Sequence, residues 1–105
     1  MRKKIEVTFI PHTSNDHLIE NMSEAFKKVL LQATSSNGKG KNISNMLFPT
    51  KGSVNGGKIN FTFFLYCPDG NFKDADKALE SIIDLAVKKI ELKSGCSIDQ
   101  MIKTI

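Results

Sequence analysis

The chain has 105 residues, of which 40% are hydrophobic and 25% charged, with 15 lysines and arginines set against 11 acids for a formal net charge of +4. That length and balance suit a single globular domain over residues 1 to 105, free to fold alone or as a homodimer, and exclude a second core. No apolar run approaches the roughly eighteen residues a membrane span needs, and Glu6 and Pro11 interrupt the stretch that would have to follow Met1–Lys4 in a secretion signal.

Ile5, Val7 and Phe9 alternate with Glu6 and Thr8, the period of a half-buried strand, and Pro11 ends it. Ser14, Asn15 and Asp16 then offer capping oxygens to an amphipathic helix whose apolar face is Leu18, Ile19, Met22, Phe26, Val29, Leu30 and Ala33. Residues 34 to 40, rich in Ser, Asn and Gly, end that helix. Residues 43 to 48 form a short strand stopped by Pro49, and Asn55-Gly56-Gly57 supplies the positive φ of a hairpin turn. Beyond the turn, Ile59, Phe61, Phe63, Leu65 and Cys67 define one face of a central strand, with Asn60, Thr62, Phe64 and Tyr66 on the other.

A second long helix follows the Pro68-Asp69-Gly70 turn, capped near Asn71, burying Phe72, Ala75, Leu79, Ile82, Ile83, Ala86 and Ile90, and closed by Gly95. Ser97-Ile98-Asp99-Gln100 has the form of a capping box, and Ile98, Met101, Ile102 and Ile105 keep helical spacing, so a short C-terminal helix is expected. The fold class is therefore α+β, in the order β-α-β-β-α, with an antiparallel three-stranded sheet, two long helices and that short third helix. A split β-α-β arrangement resembling ferredoxin-like proteins fits this order, except that helical spacing replaces the fourth strand. A winged-helix variant, with the hairpin of residues 43 to 67 as the wing, is the rival.

The charge is unevenly distributed. No acid occurs between Glu24 and Asp69, whereas Lys27, Lys28, Lys39, Lys41, Lys51 and Lys58 fall inside that stretch. Unopposed cations among small polar residues suit a polyanion, because they displace counterions while glycine and serine admit phosphates closely. A basic hairpin arm at about residues 49 to 58 is expected to carry this function. Lys39, Lys41, Lys51 and Lys58 would contact phosphates, Asn42 would lie at the base of the arm, and Ser53 and Asn55 would approach a groove. Phe64 and Tyr66 are the aromatic side chains available to stack on bases.

Other motifs point to structure. Gly52, with Gly57-Lys58 after it, matches most of a phosphate loop, but Ile59 stands where Ser or Thr must bind Mg²⁺ and a strand follows instead of a helix. His12, Ser14, Asp16 and His17 lie too close in sequence for a catalytic triad and suit a helix cap. Asp69, Asn71, Asp74 and Asp76 lack the terminal Glu of a calcium loop, and Cys67 and Cys96 lack CxxC spacing, as expected of free thiols in a reducing cytoplasm. Ile90 to Ile105 has the cadence of a helix-turn-helix, except that Glu91 replaces the small residue at the crossing.

The expected function is that of a non-enzymatic nucleic-acid-binding protein without cofactor or metal, acting as a small cytoplasmic regulator or accessory factor. Duplex DNA is favoured over RNA. The alternative is a protein-interaction module, an inhibitor or assembly adaptor, that binds through a sheet edge or the apolar stripe of the C-terminal helix.

Overall fold

The computed structural model describes residues 2–35, 46–47, 52–66 and 72–104. In chain order these form β1 (Arg2–Pro11), α1 (Asp16–Ser35), β2 (Met46–Leu47), β3 (Ser53–Asn55), β4 (Lys58–Tyr66), α2 (Lys73–Ser94) and β5 (Ile98–Thr104). β1 lies between β4 and β5 and pairs antiparallel with both. β2 and β3 both pair antiparallel with the other edge of β4, one toward each end, so they share a single position in the sheet. The result is an antiparallel sheet four positions wide, in the order β2/β3, β4, β1, β5.

The inward residues of the two central strands follow from their alternation. Ile5, Val7 and Phe9 of β1 and Ile59, Phe61, Phe63 and Leu65 of β4 are buried. They join Ile19, Met22, Phe26 and Leu30 of α1 and Leu79, Ile82, Ile83, Ala86, Val87 and Ile90 of α2 in one core. Phe9 ties the layers together. Its ring stacks on Phe26 at 4.0 Å and meets the edge of Phe61 at 6.1 Å, geometries that add to simple area burial.

Local chemistry sets the element ends. Asn15 Oδ1 accepts the Leu18 N–H at 3.2 Å, so of the three expected capping residues Asn15 starts α1. Gly95, at φ +69°, ends α2 and donates its N–H to the Glu91 carbonyl at 2.8 Å. Gly56 and Gly57 both have positive φ, as a two-residue type I′ hairpin requires, and they bring Asn55 opposite Lys58. The phosphate-loop pattern is thus a turn between two strands. The expected cap at Asn71 lies outside the described residues.

Two expectations are corrected. The sheet has a fourth strand position, and the residues expected to form a short C-terminal helix are β5, paired with β1 from Ile98 opposite Pro11 to Thr104 opposite Ile5. Without β5, the N–H and C=O groups along one side of β1 would be unpaired, and satisfying that ladder outweighs a capping-box pattern in a segment too short to nucleate a helix well. The helix-turn-helix reading falls with it, and so does the winged-helix rival. With strands at both chain ends flanking the hairpin and two helices, the split β-α-β arrangement is complete.

Gly52 provides a test of the packing. A Cβ there would lie 2.5 Å from Cε1 of the buried Phe61 ring. Gly52→Ala is expected to lower stability by about 1–3 kcal/mol through overpacking. Gly56→Ala, which meets no atom within 4 Å but sits at φ +59°, should cost only about 1–2 kcal/mol of backbone strain. Urea denaturation measures both, and an unchanged midpoint for Gly52→Ala would contradict the contact.

Candidate nucleic-acid interface

Strand parity divides the polar residues between two sides. Opposed residues in an antiparallel pair share a face, and successive residues alternate. Since Ile5, Val7 and Phe9 face the helices, Lys4, Glu6, Thr8 and Ile10 face outward, together with Asn60, Thr62 and Phe64 of β4, to which Thr8, Glu6 and Lys4 are opposed. The same parity places Lys58 outward. Ser53 and Asn55 are opposed to Asn60 and Lys58, so both hairpin residues join this outer face, and all three of Ser53, Asn55 and Lys58 are exposed. β5 adds Asp99, Met101 and Lys103.

The middle of this face is polar and ordered by contacts between strands. Thr8 Oγ1 donates to Asn60 Oδ1 at 2.7 Å, which leaves the Asn60 amide nitrogen free to donate outward. Phe64 is half-buried beside the exposed Lys4 opposite it. Neither Lys4 nor Lys58 makes an ion pair among the described residues. The two acids of the face are opposed by neighbours. Glu6 is in register with Lys103, and Asp99 Oδ2 lies 2.7 Å from His12 Nε2.

Of the residues expected to bind nucleic acid, Ser53, Asn55 and Lys58 are brought together; Lys39, Lys41, Asn42 and Lys51 lie outside the described residues. The basic stretch as a whole does not share one surface. Lys27 and Lys28 belong to α1 in the helix layer, on the opposite side of the sheet from Lys58. Lys3, one residue from Lys4, points inward and is neutralised by Asp76 of α2 at 2.8 Å, with its ammonium 5.6 Å from the centre of the Phe72 ring.

Lys4, Thr8, Asn60 and Thr62 were not anticipated as site residues. The signal for them is the alternation that marks β1 and β4 as strands, since every residue two positions from an inward apolar side chain is inward and its neighbours are outward. Phe61 and Phe63 are buried, so Phe64 is the strand aromatic on the outer face among the residues whose side chains are described.

Ser14, Asp16 and His17 are exposed around the start of α1, where Thr13 Oγ1 and Asn15 Oδ1 accept backbone N–H groups. Among the described residues no three His, Cys, Asp or Glu side chains converge on a point that could hold a metal ion. Cys96 is a free thiol, and Cys67 lies outside the described residues. Among the described residues no helix is long and apolar enough to cross a membrane.

No protein-family model matches the chain, and no curated protein matches it. Two solved structures share its fold. One is a de novo designed protein with a ferredoxin fold, solved by solution NMR, which superposes with a TM-score of 0.59 at 10% identity over 100% of this chain and 87% of its own. The other is a hydantoinase/carbamoylase family amidase from Burkholderia ambifaria, with a TM-score of 0.52 at 10% identity over 99% of this chain. This chain spans only 27% of that amidase. At such identity the likeness is one of fold, and it establishes the ferredoxin-like architecture of an α+β domain.

Proposed function

We propose that this protein is a non-enzymatic nucleic-acid-binding protein that receives a phosphate backbone on the open face of its sheet and on the β3–β4 hairpin. The observation that carries the reading is the shared parity of Ser53, Asn55, Lys58, Asn60, Phe64 and Lys4, which puts hydroxyl, amide, aromatic and ammonium groups on the side of the sheet away from the helices. Ammonium groups displace counterions, and Ser and Asn donate to phosphate oxygens. Phe64 supplies a ring on which an unpaired base can stack, as single-strand binders require. Lys39, Lys41, Asn42 and Lys51 belong to the same proposal, because the basic stretch runs through them to the hairpin. A role as a small regulator or accessory factor in the cytoplasm is part of it, in keeping with the free Cys96 thiol.

Shape bears on the target class. A broad sheet backed by helices accommodates a flexible strand across its face, which favours single-stranded nucleic acid. The duplex DNA expected from composition has its own support in the hairpin, since a narrow two-stranded ribbon tipped by Gly56-Gly57 fits a groove.

An electrophoretic shift series over salt concentration, with matched single-stranded and duplex oligonucleotides, tests this. About four to six phosphate contacts give a slope of log affinity against log salt of roughly −3 to −5.5, according to strandedness. Replacing Lys4 and Lys58 together by alanine should flatten it by about 1.4 to 1.8. A slope unchanged by that substitution places any binding elsewhere, and no retention of either oligonucleotide at low salt overturns the proposal.

A second prediction concerns the stack. Phe64→Ala should weaken single-strand binding by about 1–3 kcal/mol while leaving the salt slope unchanged. Circular dichroism confirms that the fold persists. Single-strand binding unchanged by Phe64→Ala would move recognition off the sheet face and leave the hairpin as its place.

A further inference from the structure

β5 forms an edge of the sheet, and the direction of its main-chain groups can be read residue by residue. The His12 N–H donates to the Ser97 carbonyl at 2.8 Å, which fixes the phase of the ladder with β1: Ser97, Asp99, Met101 and Lys103 direct their peptide groups toward β1. The residues between them point away. Ile98 confirms it, because its N–H leaves the sheet and donates to Glu91 Oε2 of α2 at 2.8 Å. Beyond Ile98 that cover stops. The outward N–H groups of Gln100, Ile102 and Thr104 have no partner among the described residues.

Unpaired edges invite another strand, and proteins ordinarily guard them with proline, a bulge or inward charges. β5 lacks these three, its only guards being the charged Asp99 and Lys103: no proline occurs from Ile98 to Thr104, the register with β1 is unbroken, and Met101 and Ile102 are 58% and 41% exposed. Its two charged side chains, Asp99 and Lys103, carry opposite signs and stand symmetrically about Met101.

We propose that β5 pairs antiparallel with β5 of a second copy of this chain, about a two-fold axis through Met101. The phase just established allows only registers in which outward residues meet outward residues, so near the middle of the strand the axis can pass through Gln100, Met101 or Ile102. An axis at Gln100 sets Asp99 against Met101 of the other copy, and one at Ile102 sets Lys103 against Met101. The axis at Met101 sets Asp99 against Lys103 twice and Met101 against itself. These are non-hydrogen-bonded pairs, whose side chains approach most closely. The Gln100 and Ile102 N–H groups then donate to the Ile102 and Gln100 carbonyls across the axis, and the Thr104 N–H reaches the Ile98 carbonyl. The contact is isologous, as a closed dimer requires. It rests on none of the residues assigned to nucleic-acid binding and is tested without nucleic acid.

Sedimentation equilibrium of the full chain at high micromolar concentration should show a dimer. Asp99→Lys alone and Lys103→Asp alone each set like charges against one another across the axis, and each should raise the dissociation constant by about tenfold or more. An equimolar mixture of those two variants restores one lysine against one aspartate at both places, and should dimerise with the affinity of the unaltered chain. Ile102→Pro provides an independent arm. It removes an outward N–H and no bond to β1, so it should keep the circular dichroism spectrum and abolish the dimer. A chain monomeric throughout the concentration range overturns the proposal, as does a mixture no tighter than its components or a dimer that survives Ile102→Pro.

Discussion

The constraint on which this structure depends is the register of β1. It is paired with β4 along one side and β5 along the other, and its inward residues Ile5, Val7 and Phe9 all sit in the core. Burying side chains of this size contributes about 1.5–3 kcal/mol each, and a slip of one residue would expose all three together. Because β4 and β5 are both read against β1, this requirement also fixes which residues of those strands face solvent. The outer surface, with Lys4, Thr8, Asn60, Thr62, Phe64 and Lys58, is therefore a consequence of core packing. So is the phase of the exposed peptide groups along β5.

Most of the fold was legible because its apolar periods are strong. The alternation in β1 and β4, the stripes of α1 and α2, the Gly-Gly turn and the closing Gly95 each have a local physical cause, and each is present. The C-terminal segment has a helical pattern yet forms a strand, for an equally physical reason. An edge strand buries little, and in β5 only Ile98 is buried, so the apolar alternation that betrays a strand is nearly missing. Meanwhile the residues that looked like helix-capping groups serve other partners. Gln100 donates to Asp84 at 2.6 Å, and Glu91, which looked out of place at a helix crossing, accepts the Ile98 N–H. Those bonds span elements that no local pattern connects.

The candidate site was legible in part. Composition pointed to the hairpin, and Ser53, Asn55 and Lys58 do share a face, but linear charge density is blind to which side of a sheet a residue occupies. Lys3 and Lys4 show the difference most simply. They are adjacent in sequence, yet one is held by Asp76 under the sheet and the other stands free above it. Lys27 and Lys28, counted in the same acid-free stretch, belong to the helix layer. Parity, more than net charge, decides which cations can act together.

The two proposals bear on one another through geometry. The hairpin lies on the β3 side of the sheet and the free edge on the β5 side, with β4 and β1 between them. With strands about 4.8 Å apart, a pair joined through β5 would carry two hairpins on the order of 30–40 Å apart, turned relative to one another by the twist that accumulates over the strands between them. On these proposals a monomer offers one sheet face to an unpaired strand, whereas a dimer would double the cations and hold two ribbons at a fixed separation. If both proposals hold, oligomeric state sets how many such surfaces one nucleic acid meets at once.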